Sequence, residues 1–161
     1  MAKFGPPIEV HALLKTEMTT FRTVTSKRPL KSVTLGGYLK DVRSGKWSAK
    51  IEAIREANLD SKADADKIKV KLPAIKSSGI FTGLAHTDLV KHSGMLVIDL
   101  DNIEDLEPVR GELIRHRSVI AIHTSPRGTG LKVFVAISAT NPREHKDCWR
   151  LVAEDFSTFL P

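Results

Sequence analysis

Apolar residues recur at helical spacing from Leu35 onward. Leu35, Tyr38, Leu39 and Val42 fall on one stripe, and Thr34 stands where its side chain can cap the first turn. Gly36 and Gly37 weaken that turn, because glycine is a poor helix former. Ser44-Gly45-Lys46 breaks the pattern, and Trp47, Ile51 and Ile54 mark a second helix. A third, over about 60–71, is highly charged and stops before Pro73. Residues 34–72 therefore predict a small, basic helical module with a thin apolar face. Residues 1–33, with Pro6, Pro7, Pro29 and a Thr/Ser/Lys-rich middle, predict an irregular or weakly extended arm.

Beyond KLPAIKSSGIFTG the pattern shortens to strand length. GMLVIDL (94–100) is an apolar run ending in acid, which suggests a buried strand. Leu106, Val109, Leu113 and Ile114 follow on a helix with Glu104, Asp105 and Glu107 at its start and Arg115 and His116 at its end. A helix dipole prefers that charge order. VIAIHT (119–124) and LKVFVAI (131–137) read as two more strands joined by the turn SPRGTG. Asn141-Pro142-Arg143-Glu144 supplies a cap, a proline at the first position and an acid at the third. The last helix carries Trp149, Val152, Ala153, Phe156 and Phe159 on one face. The order from residue 94 is β-α-β-β-α, one strand short of the βαββαβ unit of RRM-like and ferredoxin-like folds. The expected fold class is therefore α+β, with residues 73–161 forming an RRM/ferredoxin-like core whose sixth element lies in a longer chain.

Composition adds constraints. At 161 residues the chain suits one domain with a real core. Cys148 is the only cysteine, so no internal disulfide can form and a reducing compartment is expected. The start, MAKFGPPIEV, has no apolar segment of signal-peptide length, and no window approaches the roughly 20 apolar residues that span a bilayer. A cytoplasmic location with no membrane partner follows as the expectation. The net charge of +6 favours a polyanionic partner, of which nucleic acid is the commonest, although a basic solvated surface explains it too. Aromatic content of 6% argues against a broad base-stacking surface.

Two stretches carry chemistry. In VIDLDN, Asp99 and Asp101 are two residues apart, so a continuing strand would place both carboxylates on one side. Hard divalent cations take such oxygen ligands, and paired metals serve phosphoryl and nucleotidyl transfer. Simple strand-end polarity is the bland alternative, but it leaves Asp99, one residue deeper in the apolar run, unexplained. In TSPRGTGLK, Ser125, Gly128 and Gly130 can form a tight turn whose N–H groups face an anion, with Arg127 and Lys132 adding positive charge. An ordinary hairpin reads the same residues as turn formers. A P-loop is excluded, because the spacing is absent and a strand follows Lys132. A phosphatase with an aspartate nucleophile would also use Asp-x-Asp and a later Thr124 or Ser125, but it expects a helix after that serine. His86, His92 and His123 flank the region without metal-ligand spacing on one element.

Taken together, KLPAIKSSGIF, HSGMLVIDLDNI and HTSPRGTGLKVFVAI resemble the VirE N-terminal-type domain, a bacterial and prophage branch of the archaeo-eukaryotic primase (primase-polymerase) superfamily. The resemblance runs from about Leu35 to the C-terminus. It implies that Asp99 and Asp101 are the catalytic Asp-x-Asp/Glu pair, holding Mg²⁺ or Mn²⁺. It implies a second motif at Ser125, Arg127, Gly128, Gly130 and Lys132 that binds nucleotide phosphates, with Lys132 standing where many members have histidine. A third carboxylate is expected beyond Pro161. The implied activity is metal-dependent nucleotidyl transfer in a mobile-element DNA replication protein. Its partners would be nucleoside triphosphates, a single-stranded DNA template, and a helicase or primase-related region in the same longer chain. The departure at Lys132 keeps a second possibility open, an inactive adaptor that binds nucleic acid or nucleotide.

Overall fold

The structure is a computed structural model that describes residues 10–158. A short helix α1 (Val10–Leu14) leads into strands β1 (Glu17–Phe21) and β2 (Lys31–Thr34), where the sequence suggested an irregular arm. The difference has a physical cause. In EMTTF all four residues after Glu17 are buried, so the two-residue alternation that marks a half-exposed strand is missing. The prolines at 6 and 7 lie outside the described residues. Next come α2 (Leu35–Arg43), α3 (Ser48–Asp60) and α4 (Lys62–Lys69), close to the spans the spacing predicts. Thr34 caps α2 by accepting a hydrogen bond from the Gly37 N–H at 3.1 Å, and Gly45 (φ 70°) makes the break before α3.

Three short strands, β3 (Ala74–Lys76), β4 (Gly79–Phe81) and β5 (Leu89–His92), occupy the connection that the pattern left unassigned. β3 joins β1 and β2 in an antiparallel sheet of order β2-β1-β3, and β4 pairs with β5. The remainder follows the expected order: β6 (Met95–Leu100), α5 (Leu106–Arg115), β7 (Val119–Thr124), β8 (Leu131–Ala136) and α6 (Pro142–Ser157). Strand β8 lies between β6 and β7 and is antiparallel to both. β6 and β7 therefore run parallel to each other with α5 as the crossover, a split βαβ arrangement. The described chain is thus a mixed α+β protein with six α-helices and antiparallel sheets.

Alternation in β6 and β8 sends side chains to two different cores. Leu96, Ile98, Leu131, Val133 and Val135 pack against Val109 and Leu113 of α5 and Val152 and Phe156 of α6. The opposite face, with Met95 and Phe134, packs against Met18 of β1 and Leu35 of α2. Both faces are covered, and for that reason GMLVIDL reads as a continuous apolar run. Trp149 departs from expectation. The buried ridge of α6 follows Val152 and Phe156, four residues apart, and Trp149 is 47% exposed. Phe159, expected on the same face, lies outside the described residues. No helix among the described residues is long and apolar enough to cross a membrane.

Candidate functional site

The N-terminal helices and β1–β3 cover only part of the second face of the β6-β8-β7 sheet. Where the cover ends, a cleft of about 670 Å³ opens between α2, α3 and the sheet. Ligand sites of small molecules occupy clefts of roughly 300–1,000 Å³, so the cleft is of suitable size. Three polar residues cross its floor in register. Asp99 of β6 pairs directly with Lys132 of β8, and Lys132 pairs with His123 of β7. Directly opposed residues share a face, so one row of three chemically active side chains faces the cleft. The Lys132 ammonium donates to Asp99 Oδ1 at 2.6 Å.

His123 and Tyr38 form the inner end of the row. His123 Nδ1 lies 3.0 Å from the Thr124 carbonyl oxygen, which can only accept, so Nδ1 carries the proton. Nε2 is then the acceptor, and the Tyr38 hydroxyl donates to it at 2.8 Å. Burial lowers the pKa of His123, with nearby Lys132 and Arg110 acting the same way against Thr124 and Asp99. Burial and the Asp99 carboxylate push Tyr38 up to about 12, so it stays a donor. The row therefore joins the Lys132–Asp99 ion pair to an imidazole that burial biases toward its neutral form.

Of the residues singled out from the sequence, Asp99, Ser125 and Lys132 line the cleft. Asp101 lies one residue past the end of β6 and is exposed, and Asn102 takes a left-handed φ of 57°. The strand thus stops before it can set the second carboxylate firmly beside the first. The turn of residues 125–130 is closed on itself. The Ser125 N–H donates to the Gly130 carbonyl at 2.8 Å, and the Gly128 N–H to the Ser125 carbonyl at 2.9 Å. Those two amides are spent, contrary to the expected anion-facing turn. Gly130 is needed for close approach instead, since a Cβ there would lie 2.3 Å from the Leu100 carbonyl oxygen. Gly128 supplies a φ of 86° beside the Arg55 side chain.

Arg127 also differs from expectation. It turns toward α4 and pairs with Asp66, whose carboxyl is held below its usual range by that hydrogen bond. Arg127 thereby straps the β7–β8 turn to the helical module. A positive charge the sequence reading passed over, Arg55 of α3, lines the cleft together with Lys69. Tyr38 and Trp47 line it as well. Tyr38 was legible only as one residue of an apolar helix stripe, and Trp47 only as a helix marker. The row itself carried a usable signal: Asp99 and His123 are the penultimate residues of β6 and β7, and Lys132 is the second of β8. In an antiparallel set, those positions fall opposite one another. A hairpin, with no helix, follows Ser125, as the sequence pattern predicts.

These features define an α+β protein with a polar row at the bottom of a cleft between a split βαβ sheet and a helical cover. A family model described as BT4734-like, N-terminal domain, matches residues 67–159, more than half of the chain, which belongs to that family. The matched segment contains Asp99, His123, Ser125 and Lys132, whereas Tyr38, Trp47 and Arg55 precede it. No curated protein and no solved structure matches the chain.

Proposed function

We propose that this chain is a primase-polymerase-like domain of a mobile-element replication protein, and that its cleft binds a nucleoside triphosphate. The carrying observation is the Asp99–Lys132–His123 row on the cleft floor. Lys132, with Arg55 and Lys69 on the same lining, supplies positive charge for phosphates. The sheet order β6-β8-β7 supports the reading, because it is the order of the first three strands in a ferredoxin-like βαββαβ unit. The sequence resemblance to the VirE N-terminal-type domain supports it from another side.

Asp99 and Asp101 are oxygen donors of the kind a hard divalent cation takes, although the strand ends between them. Asp99 offers a half-exposed carboxylate at the cleft, and Asp101 a second one at the adjoining strand end. These two residues would hold Mg²⁺ or Mn²⁺. Bound there, such an ion supplies the charge that lowers the pKa of an attacking 3′-hydroxyl and offsets the charge on leaving pyrophosphate. Lys132 has two roles open to its single positive charge. It neutralises Asp99 in the free protein, and it is a point-charge partner for a phosphate oxygen when a triphosphate enters. His123 stays neutral and fixes the position of Tyr38. Basic residues of α2–α4 would meet template phosphates, a contact that weakens steeply with salt.

Titration of ATP into the protein with and without Mg²⁺ tests the reading. Lys132→Ala is expected to weaken binding by about tenfold, and Asp99→Asn to remove the Mg²⁺ dependence. Unchanged ATP affinity in both variants would overturn it. A second reading, a catalytically inactive adaptor that binds nucleotide or nucleic acid, is favoured by the engagement of Asp99 with Lys132 and of Arg127 with Asp66. ATP binding that is indifferent to Mg²⁺ and to Asp101→Ala would select the adaptor.

A further inference from the structure

We infer that the aromatic wall formed by Trp47 and Tyr38 seats the base of the bound nucleotide, an inference that rests on the nucleotide reading of the same cleft. The lining combines two chemistries. Asp99, Lys132 and His123 of the sheet and Arg55 and Lys69 of the helical cover are charged or polar, whereas Val42, Trp47, Ile51 and Ile75 are apolar. A ligand matching both needs a charged part and a flat apolar part in one small molecule, which is the chemistry of a nucleotide. Purely anionic ligands such as inorganic triphosphate would leave the apolar side filled with water.

Trp47 is placed to act as the platform. It is the residue just before α3, its ring is only partly covered, and its side chain makes no capping bond to the helix. Its ring centroid is 6.2 Å from that of Tyr38, which in turn lies 5.8 Å from Phe134 and 5.7 Å from His123. The Tyr38 hydroxyl is fixed on His123, so the ring behind Trp47 cannot swing away. The exposed Lys46 ammonium lies 5.6 Å from the Trp47 ring centroid, and it must move aside or turn to a phosphate when a base stacks there. A backed, partly covered indole itself loses little freedom on stacking. One such ring is compatible with the low aromatic content, since a single nucleotide needs one stacking face.

The protein has two tryptophans, so Trp149→Phe leaves Trp47 as the sole indole reporter. In that background ATP is expected to quench the emission, and inorganic triphosphate to bind without quenching. By calorimetry, Trp47→Ala should weaken ATP by about tenfold and leave inorganic triphosphate unchanged, while Trp47→Phe restores most of the ATP affinity. Equal losses for both ligands in Trp47→Ala, or no loss for ATP, would overturn the base-seating role while the phosphate site stands. The nucleotide reading itself fails, and this inference with it, if neither ligand binds or if Lys132→Ala changes neither affinity.

Discussion

The Tyr38 hydroxyl donates to His123 Nε2 at 2.8 Å, tying helix α2 to strand β7 across 85 residues of sequence. This bond stabilises the neutral imidazole. Tyr38→Phe keeps the ring packing and removes only the donor. The His123 pKa is then expected to rise toward the ordinary histidine value while staying below it, because burial is the larger cause of the depression. Stability should fall by about 1 kcal/mol, the usual net value of one such bond. An NMR titration of the imidazole reads the first effect, and urea unfolding the second. A His123 pKa that moves downward would contradict the assigned donor direction.

Acid should destabilise the fold through three histidines. Burial lowers the pKa of His92, His123 and His145; for His92 the neighbouring His145 adds to the effect and Glu144 opposes it. The His92 Nδ1 accepts from the Gly94 N–H, so its Nε2–H donates to His145 Nδ1 at 3.0 Å. In the unfolded chain each histidine takes up a proton near pH 6.5, whereas the folded chain resists to lower pH. The folded state then binds fewer protons, and stability rises with pH. Full stability is present above about pH 6.5 and is lost as pH falls from there through the folded values. The urea midpoint should be lower at pH 5 than at pH 7.5, with a smaller difference in His145→Gln. Equal midpoints at the two pH values would show that these histidines are not depressed.

Two glycines should respond in opposite directions to alanine. Gly130 faces the Leu100 carbonyl so closely that a Cβ would require the β7–β8 turn to move away from the end of β6. Gly130→Ala is expected to cost roughly 2 kcal/mol or more, as overpacking does. Gly111 lies within α5, and a Cβ there meets nothing within 4 Å. Gly111→Ala should stabilise by about 0.5–1 kcal/mol through helix propensity. Thermal unfolding of the two single variants checks both signs.

The elements that the sequence disclosed are those whose pattern is local. Thr34 at the start of α2, Asn141 before α6 and the alternation of Lys132 with Leu131 and Val133 are written in spacing and capping, and the structure has them. The β1 strand was illegible because burial on both faces erases its alternation. Strands β3 and β4 are three residues each, too short for any period to register. The site followed the same division. Asp99 and Lys132 stood out as charges within apolar strands, but their direct pairing depends on β8 lying between β6 and β7. The pairing of Arg127 with Asp66, 61 residues apart, had no local trace at all.

That strap gives a prediction at variance with a phosphate-binding role for Arg127. Its side chain is 19% exposed and pairs with a carboxylate on α4, so losing either partner frees the turn and leaves a partly buried charge. Asp66→Ala and Arg127→Ala should each lower stability, the loss being larger for Arg127 because its side chain is the more covered of the two. The double variant should cost less than the sum, because the two share one interaction. ATP affinity of folded Arg127→Ala should stay within about twofold of the parent if it touches no phosphate. A tenfold loss with normal stability would return Arg127 to the ligand.

Asp99 and Lys132 are expected to show the reverse combination, a small effect on stability and a large one on function. Their ion pair is short at 2.6 Å, but the side chains are 55% and 29% exposed. Exposed pairs contribute about 0–1 kcal/mol, so Asp99→Asn should unfold within that margin of the parent. The carboxylate that does so little for the fold stands in an otherwise apolar strand and lines the cleft. On the proposed primase-like reading, Asp99→Asn should abolish metal-dependent primer synthesis while leaving DNA binding largely intact. Retained synthesis with normal folding would remove Asp99 from the reaction and leave the cleft as a binding site alone.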